Sequence, residues 1–163
     1  MPRDEKAKEG MNIPITVEVP YRFAAGKYLS RFLVELRDNG DFYGIRCPVC
    51  GRVQVPPRIV CAVCHVKNGE WVKLGKEGAL KAFTTMHIPL TDPTTGKPHE
   101  PPFAYGNVNL DGSDSGIDHL INPDVDPATI KVGMRFRVKL RPKEERIGDL
   151  SDILYFDPID AKA

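Results

Sequence analysis

Apolar residues Ala25, Tyr28, Leu29, Phe32, Leu33 and Leu36 recur at intervals of three and four, the period of an amphipathic helix, and Asn39-Gly40 follows as a natural stop. The pattern predicts one helix over 24–38, its apolar face packed on its own domain or on a partner protein. Ahead of it, Ile15, Val17 and Val19 alternate in a short extended arm that Pro20 ends, behind a frayed, charged tail. After the helix, residues 42–46 predict a strand, and 53–55 a second one that stops at Pro56-Pro57. Beyond Trp71 the texture changes to extended runs separated by turn-rich segments, with no second helical period. The predicted strands are 79–88, 103–110, 116–121, 134–141 and 153–156. The stretch 89–102, with five prolines, is expected to be a loop, and Gly112-Ser-Asp-Ser-Gly116 a turn. Asn122-Pro123-Asp124 is a further turn signal leading to the Asp126-Pro127 corner. Five strands joined in this way suit a small Greek-key barrel of the OB type.

The four cysteines change this picture, because they stand as two CxxC knuckles, Cys47-Pro-Val-Cys50-Gly and Cys61-Ala-Val-Cys64, between the two strands and just beyond them. Each knuckle presents two thiolates to one ion, and two knuckles complete the four-sulfur set of a closed structural metal site, with no position left for water or substrate. Disulfides or ordinary buried thiols are the bland alternatives to this paired spacing. Zinc is favoured over iron, although four thiolates accept both and the first knuckle reads like that of a rubredoxin. The second knuckle has His65 where the first has Gly51, and a fifth ligand is not needed. The chain is therefore expected to be mainly β with an N-terminal helical segment: an arm and helix over 1–41, a rubredoxin-like zinc ribbon over 42–72, and a five-stranded OB-fold barrel over 73–163.

Composition narrows the range of functions. The 163 residues hold 23 basic and 22 acidic side chains, a net charge of +1, so any attraction to nucleic acid or anionic lipid must be local. Nothing approaches the roughly 18 consecutive apolar residues of a membrane span, and thiols committed to metal fit a reducing compartment, so a soluble, cytoplasmic protein is expected. One local concentration of charge stands out. Arg135, Arg137, Lys139 and Arg141 alternate with Met134, Phe136, Val138 and Leu140, so in a strand all four cations share one face. Neighbours on that face are roughly 7 Å apart, close enough for several to address the phosphates of a coenzyme A, or simply to form a solvated outer face. Arg58 follows the stiff Pro56-Pro57 pair and is a candidate for a phosphate contact, a partner salt bridge or plain surface.

No catalytic set emerges. The four serines form no Gly-x-Ser-x-Gly elbow, His87, His99 and His119 are isolated, and Asp111, Asp114 and Asp118 depart from the spacing of a calcium loop. Phe103, Tyr105 and Trp71 read as packing residues rather than an adenine platform.

The order of features resembles the DUF35 family. The residues that carry the resemblance begin with Phe42-Tyr-Gly-Ile-Arg-Cys47-Pro-Val-Cys50-Gly, Pro56-Pro57-Arg58, Cys61-Ala-Val-Cys64, Glu70-Trp71 and the glycines of 75–78. They continue through Phe103-Ala-Tyr105, Val108-Asn-Leu110-Asp111, 130–134 and Phe156-Asp-Pro158, so that about 24–158 is covered. The ribbon is the specific part of the match, while the barrel positions gain weight from their order. The resemblance implies an N-terminal helical segment, a rubredoxin-like ribbon and an OB fold, in a protein that works beside a thiolase-fold enzyme. Members of the family accompany acetoacetyl-CoA thiolase with hydroxymethylglutaryl-CoA synthase, steroid side-chain aldolases, and the benzoylsuccinyl-CoA thiolase of anaerobic toluene degradation. In such assemblies the partner supplies the catalytic cysteine and histidine, and the DUF35 chain supports the acyl-CoA site. The 91–102 loop is longer than the family pattern implies, which leaves open a role specific to substrate or partner.

The expected function is thus a non-catalytic accessory subunit of a thiolase-fold complex. Cys47, Cys50, Cys61 and Cys64 would hold zinc, and Arg135, Arg137, Lys139, Arg141 and Arg58 are the candidates for CoA or acyl-CoA. A hetero-oligomer with the catalytic subunit follows. Two other classes predict different behaviour. A single-stranded nucleic-acid-binding OB protein would need a broad positive groove with exposed aromatics, and an independent hydratase or thioesterase would turn over acyl-CoA alone.

Overall fold

The helical period is realised as α1, Gly26–Asn39, in the computed structural model, which describes residues 23–91 and 96–159. Gly40 ends the helix in the left-handed conformation (φ 65°), and its N–H donates to the Leu36 carbonyl at 3.0 Å, an arrangement that a side chain with a Cβ would strain. Phe32 and Leu36 are fully buried while Leu29 and Leu33 lie partly covered, so the apolar face packs on the chain's own core. Phe32 meets Phe42 edge to face with ring centroids 6.1 Å apart. The arm expected at Ile15, Val17 and Val19 lies outside the described residues.

Three strands follow around the knuckles. β1 (Phe42–Arg46) lies between β2 (Val53–Gln54) and β3 (Glu70–Leu74), both antiparallel to it. Gly44 is needed in β1 because a Cβ there would sit 2.6 Å from the Val53 side chain. β3 was not expected from the sequence. Its Glu-Trp-Val-Lys-Leu run shows no clean alternation, and only Leu74 is fully covered.

The remainder is built from β4 (Glu77–Met86), a short hairpin of β5 (Leu90–Thr91) and β6 (Pro98–His99), then β7 (Phe103–Leu110), β8 (Ile117–Leu120), β9 (Arg135–Leu140) and β10 (Ile153–Pro158). The hairpin corrects the expectation of an unpaired loop over 89–102. Leu90 opposes His99 and Thr91 opposes Pro98, a pairing too short to leave a periodic signal among five prolines. The other five strands form one sheet in the order β10-β9-β4-β7-β8, every neighbouring pair antiparallel. A parallel bridge between Ile121 and Phe156, with the Asn122 N–H donating to the Phe156 carbonyl at 2.9 Å, joins the two edges and closes the barrel. This is the five-stranded OB arrangement. No helix among the described residues is long and apolar enough to cross a membrane.

One apolar core runs through all three parts, from Phe32 and Leu36 of α1 through Phe42, Val53 and Leu74 to Leu80, Val108, Phe136 and Phe156 of the barrel. A polar clamp reinforces it. The Val53 N–H donates to Asp114 Oδ2 at 2.8 Å, and the Asp114 N–H returns to the Val53 carbonyl at 2.8 Å. The Ser115 hydroxyl accepts from the Val55 N–H at 2.7 Å and donates to the Val55 carbonyl at 2.9 Å. The Gly112-Ser-Asp-Ser-Gly116 turn thus binds the ribbon to the barrel. Ser115→Ala leaves the buried Val55 amide without either partner and is expected to cost about 1–3 kcal/mol, seen as a lower midpoint in urea unfolding. An unchanged midpoint would mean that the clamp contributes nothing.

Candidate functional site

The two knuckles are built alike. The Cys47 N–H donates to the Arg52 carbonyl and the Cys61 N–H to that of Val66, both at 2.9 Å; Gly51 and His65 donate back to the carbonyls of Cys47 and Cys61, both at 3.0 Å. Each turn needs a left-handed residue after its second cysteine. Gly51 supplies it at φ 73°, and His65 adopts it at φ 56°, the one such non-glycine residue among those described. His65 is therefore in the chain for a backbone position that glycine would occupy with less strain, and its N–H rather than its ring serves the knuckle.

The sulfurs of Cys47, Cys50, Cys61 and Cys64 all lie within 4.8 Å of one another, with Cys50 and Cys61 3.8 Å apart. A tetrahedral ion with sulfur bonds of about 2.3 Å sets its ligands about 3.8 Å apart, so the four cysteines are positioned to hold one metal ion. Cys47 and Cys61 are buried, Cys50 is exposed and Cys64 half-buried. Further groups support the sulfurs. The N–H groups of Val63 and Cys64 point at Cys61 Sγ from 3.4 and 3.5 Å, and Gln54 Nε2 lies 3.9 Å from the same atom. Gln54 in turn accepts from Asn68 Nδ2 at 3.1 Å, and that amide also donates to the Arg58 carbonyl at 2.9 Å. These two buried amides were missed in the sequence. Gln54 between two valines was the one available signal, since a glutamine in an apolar run needs a partner.

Crowding four thiols splits their proton affinities. The backbone N–H of Cys50, with that of Val49, brings Cys47 down to about 7, whereas hydrogen bonding with the Cys50 sulfur, with burial, pushes Cys64 up to about 12. A divalent ion removes this conflict by drawing all four into the thiolate form. Among the described residues this is the group of His, Cys, Asp and Glu close enough to bind a metal. Asp111, Asp114 and Asp118 go to separate partners, respectively Arg135, the Val53 amide and Asn107.

Arg135, Arg137 and Lys139 of the basic ladder share one face of β9, as the alternation requires, with Phe136 and Val138 buried on the other; Arg141, expected in the same strand, lies just beyond its end. The ladder's charges are partly committed. Arg135 grips Asp111 through two bonds of 2.6 and 2.5 Å, and its guanidinium holds that carboxyl below the usual range. Arg137 lies opposite Glu77 and meets it at 2.6 Å. Arg141 Nε donates to the Ser151 carbonyl at 2.8 Å. Among the described residues, no acidic side chain pairs with Lys139, whose cross-strand neighbour is Tyr155, or with Arg58. Arg58 stands elsewhere, in the wall of a cleft of about 440 Å³ between ribbon and barrel that no ladder residue lines.

Trp71 is occupied from within the fold: its ring stacks on Tyr28 of α1 at 5.9 Å, and the Arg31 guanidinium lies 4.4 Å from its centre. Phe103 is buried against the edge of Tyr105 and the ring of His99.

Two outcomes test this centre. Cys47→Ser is expected to lose the metal and melt the knuckles, because a structural four-thiolate site contributes on the order of 10 kcal/mol of folding free energy. Stoichiometric metal by elemental analysis, with an unchanged melting curve, would refute the closed site. His65→Gly is expected to keep the metal and raise stability by roughly 0.5 kcal/mol, the relief of left-handed strain less the added chain entropy. A lower melting temperature would mean that the imidazole contributes directly.

Comparison with known proteins agrees with this geometry. Residues 34–68 match the family model described as ChsH2, rubredoxin-like zinc ribbon domain, and residues 71–141 match that described as ChsH2, C-terminal OB-fold domain. A DUF35 domain-containing scaffold protein of Methanocaldococcus jannaschii is 25% identical over 138 residues, covering 82% of this chain and 93% of that protein. The solved structure titled Ltp2-ChsH2(DUF35) aldolase shares the fold at a TM-score of 0.58 and 20% identity, over 84% of this chain and 98% of that one. A Sulfolobus solfataricus protein of unknown function from the DUF35 family shares it at a TM-score of 0.50 and 24% identity, over 66% of this chain and 74% of that one. With both of its modules matched and the four cysteines in place, the chain belongs to the DUF35 family, as a ChsH2-type zinc ribbon followed by an OB fold.

Proposed function

We propose that this chain is a non-catalytic, zinc-binding accessory subunit of a thiolase-fold enzyme, supporting an acyl-CoA site in a cytoplasmic hetero-oligomer. The observation that carries the reading is that all four cysteines in the sequence converge on one metal site. A thiolase nucleophile must be a free thiolate, and none remains. A relative named as a scaffold protein and a solved relative that is part of an aldolase assembly support a partner that does the chemistry.

The phosphates of CoA fall to the face of β9 that carries Arg135, Arg137 and Lys139, with Arg141 just past its end. The ion pairs with Asp111 and Glu77 do not oppose this. Exposed pairs contribute only about 0.2–1 kcal/mol, so a phosphate can displace a carboxylate at little cost, and Lys139 has no acidic partner among the described residues. Arg58, walling the separate cleft, is better placed to meet the partner protein than the same ligand.

The purified chain alone is expected to show no acyl-CoA turnover above background, while affinity purification from the native host recovers a thiolase-fold enzyme whose activity depends on this subunit. Turnover by the isolated chain would overturn the reading. In the assembled complex, Arg135→Ala with Arg137→Ala is expected to weaken CoA binding roughly tenfold, the loss of about 1.4 kcal/mol of phosphate contact. Unchanged affinity in calorimetry would return both arginines to their ion pairs.

A further inference from the structure

The outer surface of the ribbon is apolar where a lone protein would be polar. Val49 is 68% exposed, Ile59 55%, Val60 45% and Val63 52%. Val49 and Val63 each precede the second cysteine of a knuckle, so they flank the four-sulfur site, and the sulfurs of the two knuckles lie as close as 3.8 Å. Ile59 and Val60 lead into the second knuckle, alongside Lys67 and Asn68, to which they are joined by the Val60–Lys67 bridge and the bond from the Asn68 N–H to the Ile59 carbonyl. From Arg58 to Val63 only Cys61 is buried. Packing within the chain does not explain this run, since exposed apolar runs of this length cost solubility unless something covers them.

A socket adjoins the patch. The cleft of about 440 Å³ has apolar walls from Val55, Pro56, Ala62 and Ile117, with Arg58 at its ribbon side and Asp118 at its barrel side. It is large enough to receive an anchoring side chain from another protein.

Charge selects the occupant. Between residues 46 and 69 stand Arg46, Arg52, Arg58 and Lys67 and no aspartate or glutamate, so the rest of the chain holds 19 basic against 22 acidic residues. Arg46 is paired with Glu70; Arg52, Arg58 and Lys67 are exposed, and no acidic side chain among the described residues pairs with them. A four-thiolate divalent centre would keep a formal negative charge and offset part of this. Nucleic acid is the poorer fit for such a surface, because 46–69 contain no Phe, Tyr or Trp on which a base would stack.

We infer that the knuckle face, Val49, Ile59, Val60 and Val63 with the adjoining cleft, is the docking surface for the catalytic subunit, and that it receives an apolar patch with an acidic rim. The inference rests on the accessory-subunit reading and adds which face of the chain is used. Docking buries the apolar residues at the centre, while Arg52, Arg58 and Lys67 steer the approach and fix orientation.

A photo-crosslinking amino acid placed in turn at Val49, Val60 and Val63 tests it in the complex purified from the native host, with Ile88 and Val132 as barrel controls that are similarly exposed, at 60% and 61%. Crosslinks from the three ribbon positions to the thiolase-fold subunit, at peptides rich in Asp and Glu, are the expected result. Arg52→Glu with Lys67→Glu should slow association roughly tenfold at low salt and less at high salt, with metal content and melting unchanged. Crosslinks confined to Ile88 and Val132, or capture of single-stranded DNA by the ribbon positions, would overturn the docking face while leaving the accessory-subunit reading standing. Recovery of the chain without any thiolase-fold enzyme would instead remove that reading.

Discussion

Four sulfurs within 4.8 Å of one another form a set that a single cation would reconcile, and that convergence organises the ribbon. Without a cation, hydrogen bonding with the Cys50 sulfur, with burial, pushes Cys64 up to about 12, while the backbone N–H of Cys50 brings Cys47 down to about 7. With it, the two turns acquire a common centre and β1, β2 and β3 acquire a reason to stay in register. The ribbon is short of conventional core, since Val49, Ile59, Val60 and Val63 face outward and do not help to hold it. A metal held by the four cysteines would take the place of the buried apolar area that a module of this size lacks.

The barrel supplies the rest of the support. Leu74, Val53 and Phe42 lie in the same apolar cluster as Leu80, Val108 and Phe136, and the helix packs its Phe32 and Leu36 into that cluster as well. The loop after β9 folds back toward α1, where Gly148 lies against Arg37, and the buried Asp152 carboxylate accepts the N–H groups of Ile147 and Gly148 at 2.9 and 2.8 Å. A rigid body results in which the metal module is oriented by the barrel rather than tethered to it.

What could be read in advance was local. The period of α1, the spacing of the knuckles and the alternation of β9 each lie within a few residues, and each was realised close to its expected bounds. Contacts that join distant segments left no such signal. Asp114 and Ser115 read as ordinary turn residues because their partners, Val53 and Val55, lie about sixty positions away. The ladder shows the same division. Its common face follows from a period of two, but Asp111 and Glu77, which meet Arg135 and Arg137, arrive from other strands and turns. His65 shows a third case, in which the residue type concealed a backbone requirement that Gly51 made plain in the first knuckle.

β2 is one of the two outer strands of the ribbon's sheet, and the outward-pointing N–H and C=O groups of Val53, and of Val55 just beyond the strand, are the ones taken by Asp114 and Ser115. An open strand edge is a template on which any extended segment can add itself, whether from a partner or from another copy in a crowded cell. Here a turn of the barrel seals that edge. That edge is thereby closed to recognition by strand addition, and a protein that binds there must be chosen by its side chains, by shape and charge, and not by backbone pairing that almost any sequence could offer.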